Sequence, residues 1–173
     1  MYMKALKQVF IIALLIVISH LAVGQSFTVP KNYTLKEVSD YAKYEKDIID
    51  CVIWLENTPV DEQRNKRSKA NQFLIQWVTG SPNLTISINS KIVNFTDKNP
   101  DLLIIFLGGW AKYALENPEY KDDEVKCNLA GLRSVIKVYK KRNGMKKDRN
   151  VEKLIKLEKK GELEEWVKQQ LKK

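Results

Sequence analysis

The chain has 173 residues and a net charge of +9, from 30 basic and 21 acidic side chains. Its single histidine, His20, falls in the N-terminal apolar segment. The rest of the chain therefore has no Ser-His or Cys-His nucleophile pair and no histidine metal site. It also lacks a glycine-rich phosphate loop, a CxxC pair and an EF-hand pattern, and no motif implies a cofactor.

Lys4 and Lys7 precede an apolar run from Val9 to Ile18, and Ala22-Val23-Gly24 puts small residues where a signal peptidase reads. Residues 1–24 are read as a secretory signal peptide cleaved between Gly24 and Gln25. Residues 25–173 are read as a single exported helical domain, periplasmic or secreted. The remaining length, about 150 residues, is enough for a real core. No transmembrane span is expected after cleavage, because no remaining apolar run approaches the about 20 residues a bilayer needs.

Thr34-Leu35-Lys36-Glu37 has the form of a capping box, and Tyr41, Tyr44, Ile48, Cys51, Val52 and Leu55 then recur at helical spacing. Thr58-Pro59 predicts a second start, with a solvated first half and an apolar stripe of Ala70, Phe73, Leu74, Trp77 and Val78, stopped by Gly80 and Pro82. Residues 83–97 break the pattern. Leu84, Ile86 and Ile88 alternate with polar residues, which favours a small β-hairpin over 84–96. A long loop whose apolar residues cover the helices is the alternative.

Asn99 to Asn117 is the most apolar stretch outside the leader. Asn99 suits an N-cap, Pro100 the first helical position and Asp101 the helix dipole. Apolar residues all round predict a helix buried on several sides, ending before Pro118. Gly108-Gly109 lies in its middle, where each glycine costs about 1 kcal/mol against alanine. Both are expected to face the small residues near Ala130 and Gly131 on the next helix, which Asp122, Asp123 and Glu124 open and Asn143-Gly144 ends. Asp148 caps a short helix that Gly161 stops, and Leu163, Trp166, Val167 and Leu171 mark a last one. The fold class is therefore all-α, a single compact bundle of about six helices with the small hairpin as a minor element.

Two features bear on partners. Cys51 and Cys127 form an even pair, which in an exported protein permits a disulfide, with two buried thiols as the alternative. From Arg133 onward there are 15 basic and 6 acidic residues, against 13 and 15 from Gln25 to Leu132. The basic third places Lys140, Lys141, Arg142, Lys146, Lys147 and Arg149 as candidates for contact with an anionic surface such as phospholipid. Export argues against nucleic acid, and no stacking platform accompanies the charge.

The WVTGSP of Trp77 to Pro82 and the NPDLL…GGWAKYALEN of Asn99 to Asn117 resemble a group of small exported helical envelope proteins of unassigned activity. In size and layout the chain is also similar to periplasmic immunity proteins that neutralise cell-wall amidase effectors. The first resemblance implies a shared helical fold and no reaction. The functional expectation is an exported binding protein, not an enzyme, engaging a partner protein or an anionic envelope surface. The alternatives are a hydrolase or transferase using carboxylates and an immunity-type inhibitor.

Overall fold

The computed structural model describes residues 26–172. The predicted signal peptide and its cleavage point lie outside the described residues. Those residues form seven α-helices and no strand: α1 (Val38–Lys43), α2 (Glu45–Asn57), α3 (Arg64–Gly80), α4 (Asp101–Glu116), α5 (Glu124–Lys140), α6 (Arg149–Lys160) and α7 (Leu163–Leu171). A 3-10 turn, Pro118–Tyr120, links α4 to α5. None of these helices is long and apolar enough to cross a membrane.

The bundle is organised around α4. Leu102, Ile105, Phe106, Leu107, Trp110 and Ala111 are buried, and α2, α3 and α5 all pack against this helix. Its apolar circumference requires cover on several sides, and three neighbours supply it. On the other side α5 meets α6 and α7, which also pack on each other. One continuous core runs from Phe27 to Val167. The extended segment before α1 closes one end, with the Phe27 ring 6.3 Å from Phe73 and the Tyr33 ring 4.9 Å from Phe73.

The α4–α5 contact is the most extensive in the molecule, and its glycines explain why. A Cβ on Gly109 would lie 2.7 Å from Ser134 Cβ and 2.9 Å from the Ala130 carbonyl oxygen. A Cβ on Gly131 would lie 2.8 Å from the Phe106 carbonyl oxygen and 2.7 Å from its ring. Each helix thus presses backbone into the other, and the missing side chains are what permit the approach. Gly108 differs from the expectation. It turns away from α5 towards α2 and α3, where a Cβ would meet Val52 and Leu74 at 3.1 Å. Adjacent helical residues point about 100° apart, so the pair serves two interfaces.

Three local expectations are corrected. The hairpin does not form. Asn89 Oδ1 accepts from Lys91 N–H at 2.9 Å, and the Asn89 carbonyl accepts from Ile92 and Val93, so the segment folds on itself as turns. Ile92, Val93 and Phe95 are buried instead in the helical core. An isolated two-stranded pair has little stability of its own, and the asparagine offers the backbone a local alternative. Thr58-Pro59 does not start α3. Gln63, at φ 46°, precedes the helix, and Pro59 opens a turn whose carbonyl accepts from Glu62 N–H at 3.1 Å. The disulfide is absent: Cys51 and Cys127 are both free and buried. The Cys51 thiol donates to the Ala70 carbonyl in α3, while Cys127 donates to the carbonyls of Tyr120 and Lys121 in the turn before α5.

Candidate functional site

The basic C-terminal third divides into engaged and free cations. Lys141 is drawn inward. Its Nζ donates to the carbonyls of Glu56 and Asn57 at 2.7 and 2.8 Å, at the C-terminus of α2 where the helix dipole favours a cation. Beside it the buried Glu56 carboxylate accepts from Ser134 Oγ at 2.6 Å and Lys137 Nζ at 2.7 Å. Burial lowers the Lys141 pKa from the ordinary lysine value. Arg142 donates to Glu152 at 2.7 Å and stacks over the Tyr139 ring at 4.6 Å. Lys140, Lys146, Lys147 and Arg149 are exposed, and among the described residues none forms an ion pair.

The folded α6 adds cations that the sequence reading did not single out. Arg149, Lys153, Lys156 and Lys160 recur at spacings of four, three and four, which sets them in one line on a helix. All four are exposed. The same helix buries Val151, Leu154 and Ile155 on its opposite side. Its acids, Glu152 and Glu158, are bound by Arg142 and Arg133 of the neighbouring segment, at 2.7 and 3.1 Å. The carboxylates of α6 are thus bound by arginines, and in the outer line Lys160 pairs with Glu162 at 3.9 Å while Arg149, Lys153 and Lys156 have no ion-pair partner among the described residues, over about 10 Å at helical rise. That 3.6-residue recurrence of cations was present in the sequence, and it was the signal that would have found the stripe.

A second feature lies between α3, the start of α4 and the loop that joins α5 to α6. It is an open pocket of about 480 Å³ lined by Asp61, Arg64, Arg67, Ser68, Asn71 and Asp101, with Gly144 at its edge. Arg67 is 5% exposed. Its Nη2 reaches back to the carbonyls of Leu55 at 3.1 Å, Thr58 at 2.5 Å and Pro59 at 3.3 Å, satisfying the end of α2 in place of a continuing helix. Burial lowers its pKa from the ordinary arginine value, with the nearby charges of Asp101 and Asp61 acting in the other direction. Two buried polar atoms on this wall, Arg67 Nε and Asn71 Oδ1, have no hydrogen-bond partner. No ion pair joins the two arginines to the two aspartates among the described residues.

Cys51 and Cys127, the candidate disulfide residues, line neither the pocket nor the basic stripe. Burial pushes both thiols up, Cys127 to about 11 and Cys51 further. Neither is disposed to act as a thiolate nucleophile. Among the described residues no group of three or more His, Cys, Asp or Glu side chains is placed to hold a metal ion.

No protein-family model, no curated protein and no solved structure matches the chain. What the fold and surface define is a class, a compact all-α bundle with a strongly basic outer helix and a polar pocket of mixed charge.

Proposed function

We propose that this is an exported protein of the cell envelope, related to the small helical envelope proteins it resembles, that docks on an anionic surface through α6 and the loop preceding it. The observation that carries the reading is the line of Arg149, Lys153, Lys156 and Lys160, exposed on a helix whose acids are bound by Arg133 and Arg142, with Lys160 alone of the four in an ion pair, to Glu162. Lys146, Lys147 and Lys140 extend the same charge. Each cation near an anionic lipid surface contributes about 1 kcal/mol, and the effect is screened by salt. The apolar side of α6 is already buried in the core, so it has no face left to insert among acyl chains. Docking is electrostatic and reversible.

Co-sedimentation tests this directly. The protein is expected to pellet with vesicles of phosphatidylglycerol and phosphatidylcholine but not with phosphatidylcholine alone, and to be released by added sodium chloride. Arg149→Glu with Lys156→Glu should abolish pelleting at an unchanged melting temperature, because exposed substitutions of this kind cost within about 0.5 kcal/mol. Equal binding to both vesicles, or to neither, would overturn the proposal.

A further inference from the structure

We infer that Asn143-Gly144, in the loop between α5 and α6, is a site of spontaneous covalent modification. There the Asn143 side-chain amide is lost through a cyclic imide, and the carboxylate that replaces it weakens the hold of the basic loop on an anionic surface. The modification stands independently of any partner, and its effect on docking rests on the function proposed above. The chain contains a single Asn-Gly step. Arg142 to Met145 form a turn, closed by Met145 N–H donating to the Arg142 carbonyl at 3.3 Å. Asn143 and Gly144 are its two central residues, and Gly144 takes a left-handed φ of 71°, which suits glycine at the third position of a turn. The closing bond leaves the Gly144 N–H without a partner, and the Asn143 side chain has none among the described residues. Both residues are exposed, and Gly144 has no side chain to shield its nitrogen.

The other asparagines lack this combination. Asn89, Asn94, Asn99, Asn117, Asn128 and Asn150 have their side-chain amides held in hydrogen bonds. Asn57, Asn65 and Asn71 lie in α2 and α3. Asn32 and Asn83 are exposed, but the large side chains of Tyr33 and Leu84 follow them and crowd the nitrogen that would attack. At Asn143 the chemistry takes two steps. The Gly144 backbone nitrogen gives its proton to solvent and bonds to Asn143 Cγ. The Cγ–Nδ2 bond breaks, Nδ2 takes a proton from solvent and leaves as ammonia, and a five-membered imide remains. Water then adds to one of the two imide carbonyls and opens that C–N bond. Opening at the side-chain carbonyl gives aspartate, and opening at the main-chain carbonyl gives isoaspartate. Either product adds one negative charge between Arg142 and the Lys146-Lys147 pair. That charge offsets the contribution of about one cation, so docking should weaken about fivefold.

The test ages the purified protein at mildly alkaline pH, which favours loss of the Gly144 amide proton, and follows its peptides by mass spectrometry. Asn143 is expected to convert ahead of every other asparagine, with a mass gain equal to water minus ammonia and with isoaspartate among the products. Asn143→Gln should stop the conversion, because the longer side chain closes a larger ring less readily. An Asn143 that stays intact, or converts no faster than Asn83, would overturn the inference. Aspartate without isoaspartate would overturn the imide route in favour of direct hydrolysis. The aged protein and Asn143→Asp should each bind phosphatidylglycerol vesicles about fivefold more weakly than fresh protein, at an unchanged melting temperature. Undiminished binding of both would overturn the effect on docking. Failure of the fresh protein to bind would instead overturn the docking function and leave the modification to be judged by mass alone.

Discussion

Asn99 shows how a residue with a clear local role is taken over by a distant one. Its type and position suit an N-cap for α4, yet its amide is turned to the loop before α6. Asn99 Nδ2 donates to the Lys146 carbonyl at 3.0 Å, and Lys146 N–H donates to Asn99 Oδ1 at 2.8 Å. The caps of α5 and α6 remain local: Asp123 accepts from Lys126 N–H, and Asp148 accepts from Asn150 and Val151 N–H. Asp40 is the capping carboxylate with the largest consequence. Its Oδ2 accepts from the backbone N–H groups of Lys36 and Glu37, both at 3.1 Å, and Lys43 donates to Oδ1. These bonds, Glu37 first, hold its pKa down from 3.8 to about 2. A carboxylate depressed in the folded state contributes stability that is fully present above its unfolded pKa and lost as pH falls through the folded one. The window is therefore between pH 4 and pH 2. Carbon-13 titration of the Asp40 carboxyl should give a midpoint near 2, and the melting-temperature difference between the native protein and Asp40→Ala should be constant above pH 5 and shrink below pH 4. A midpoint near 4 would mean that the start of α1 is not held this way.

At the scale of elements, the α4–α5 crossing governs the bundle. Replacing a mid-helix glycine with alanine gains about 1 kcal/mol in propensity on an open helix face. At Gly109 the new methyl would fall within contact limits of Ser134 and of the Ala130 carbonyl, and at Gly131 within those of Phe106. The backbone on the facing helix cannot yield as a flexible side chain can. Gly109→Ala and Gly131→Ala should each destabilise by about 1–3 kcal/mol, the range for overpacking a well-filled core. Chemical denaturation measures the change, and stabilisation by either substitution would show that the helices do not meet as closely as their glycines imply. The helices themselves were largely legible, because periodicity, Asp123, Asp148, Asn117-Pro118 and Gly161 act within a turn or two of where they stand. The segment from Asn83 to Asp97 was not. Its alternation of Leu84, Ile86 and Ile88 fits a strand, but Ile88 is 55% exposed and the burial falls to Ile92, Val93 and Phe95. Phe95 settles with its ring 6.5 Å from that of Phe106, a contact with α4 that local alternation does not encode.

For the whole molecule, the thiols report on global opening. Cys51 lies between α2 and α3, and Cys127 lies under the turn before α5, so the two sample separate parts of one core. A thiol-specific reagent at neutral pH should react with neither in the native protein and with two thiols per chain in concentrated guanidinium. The native rate should follow the opening equilibrium, because a buried, protonated thiol must first be exposed. Rapid native reaction of Cys127 alone would mean that the turn at Pro118–Tyr120 opens independently of the core.

The sequence by itself determined the all-α class, most helix boundaries, the buried character of α4, the close packing at Gly109 and Gly131, and the basic bias of the last third. Each of these is set by residue type and by spacing along the chain, and both are local. Tertiary structure decided which charges are spent and which are free. Lys141 and Arg67 became caps for the end of α2 because folding brought them there from the residue after α5 and from α3. The acids of α6 met Arg133 and Arg142, which left Lys153 and Lys156 without an ion-pair partner while Lys160 met Glu162. The two cysteines were set against different carbonyls, and Asp61, Arg64, Arg67, Asn71 and Asp101 were assembled into one pocket. Such pairings join residues up to about 85 positions apart, and spacing along a chain carries no information about which distant groups packing will bring together.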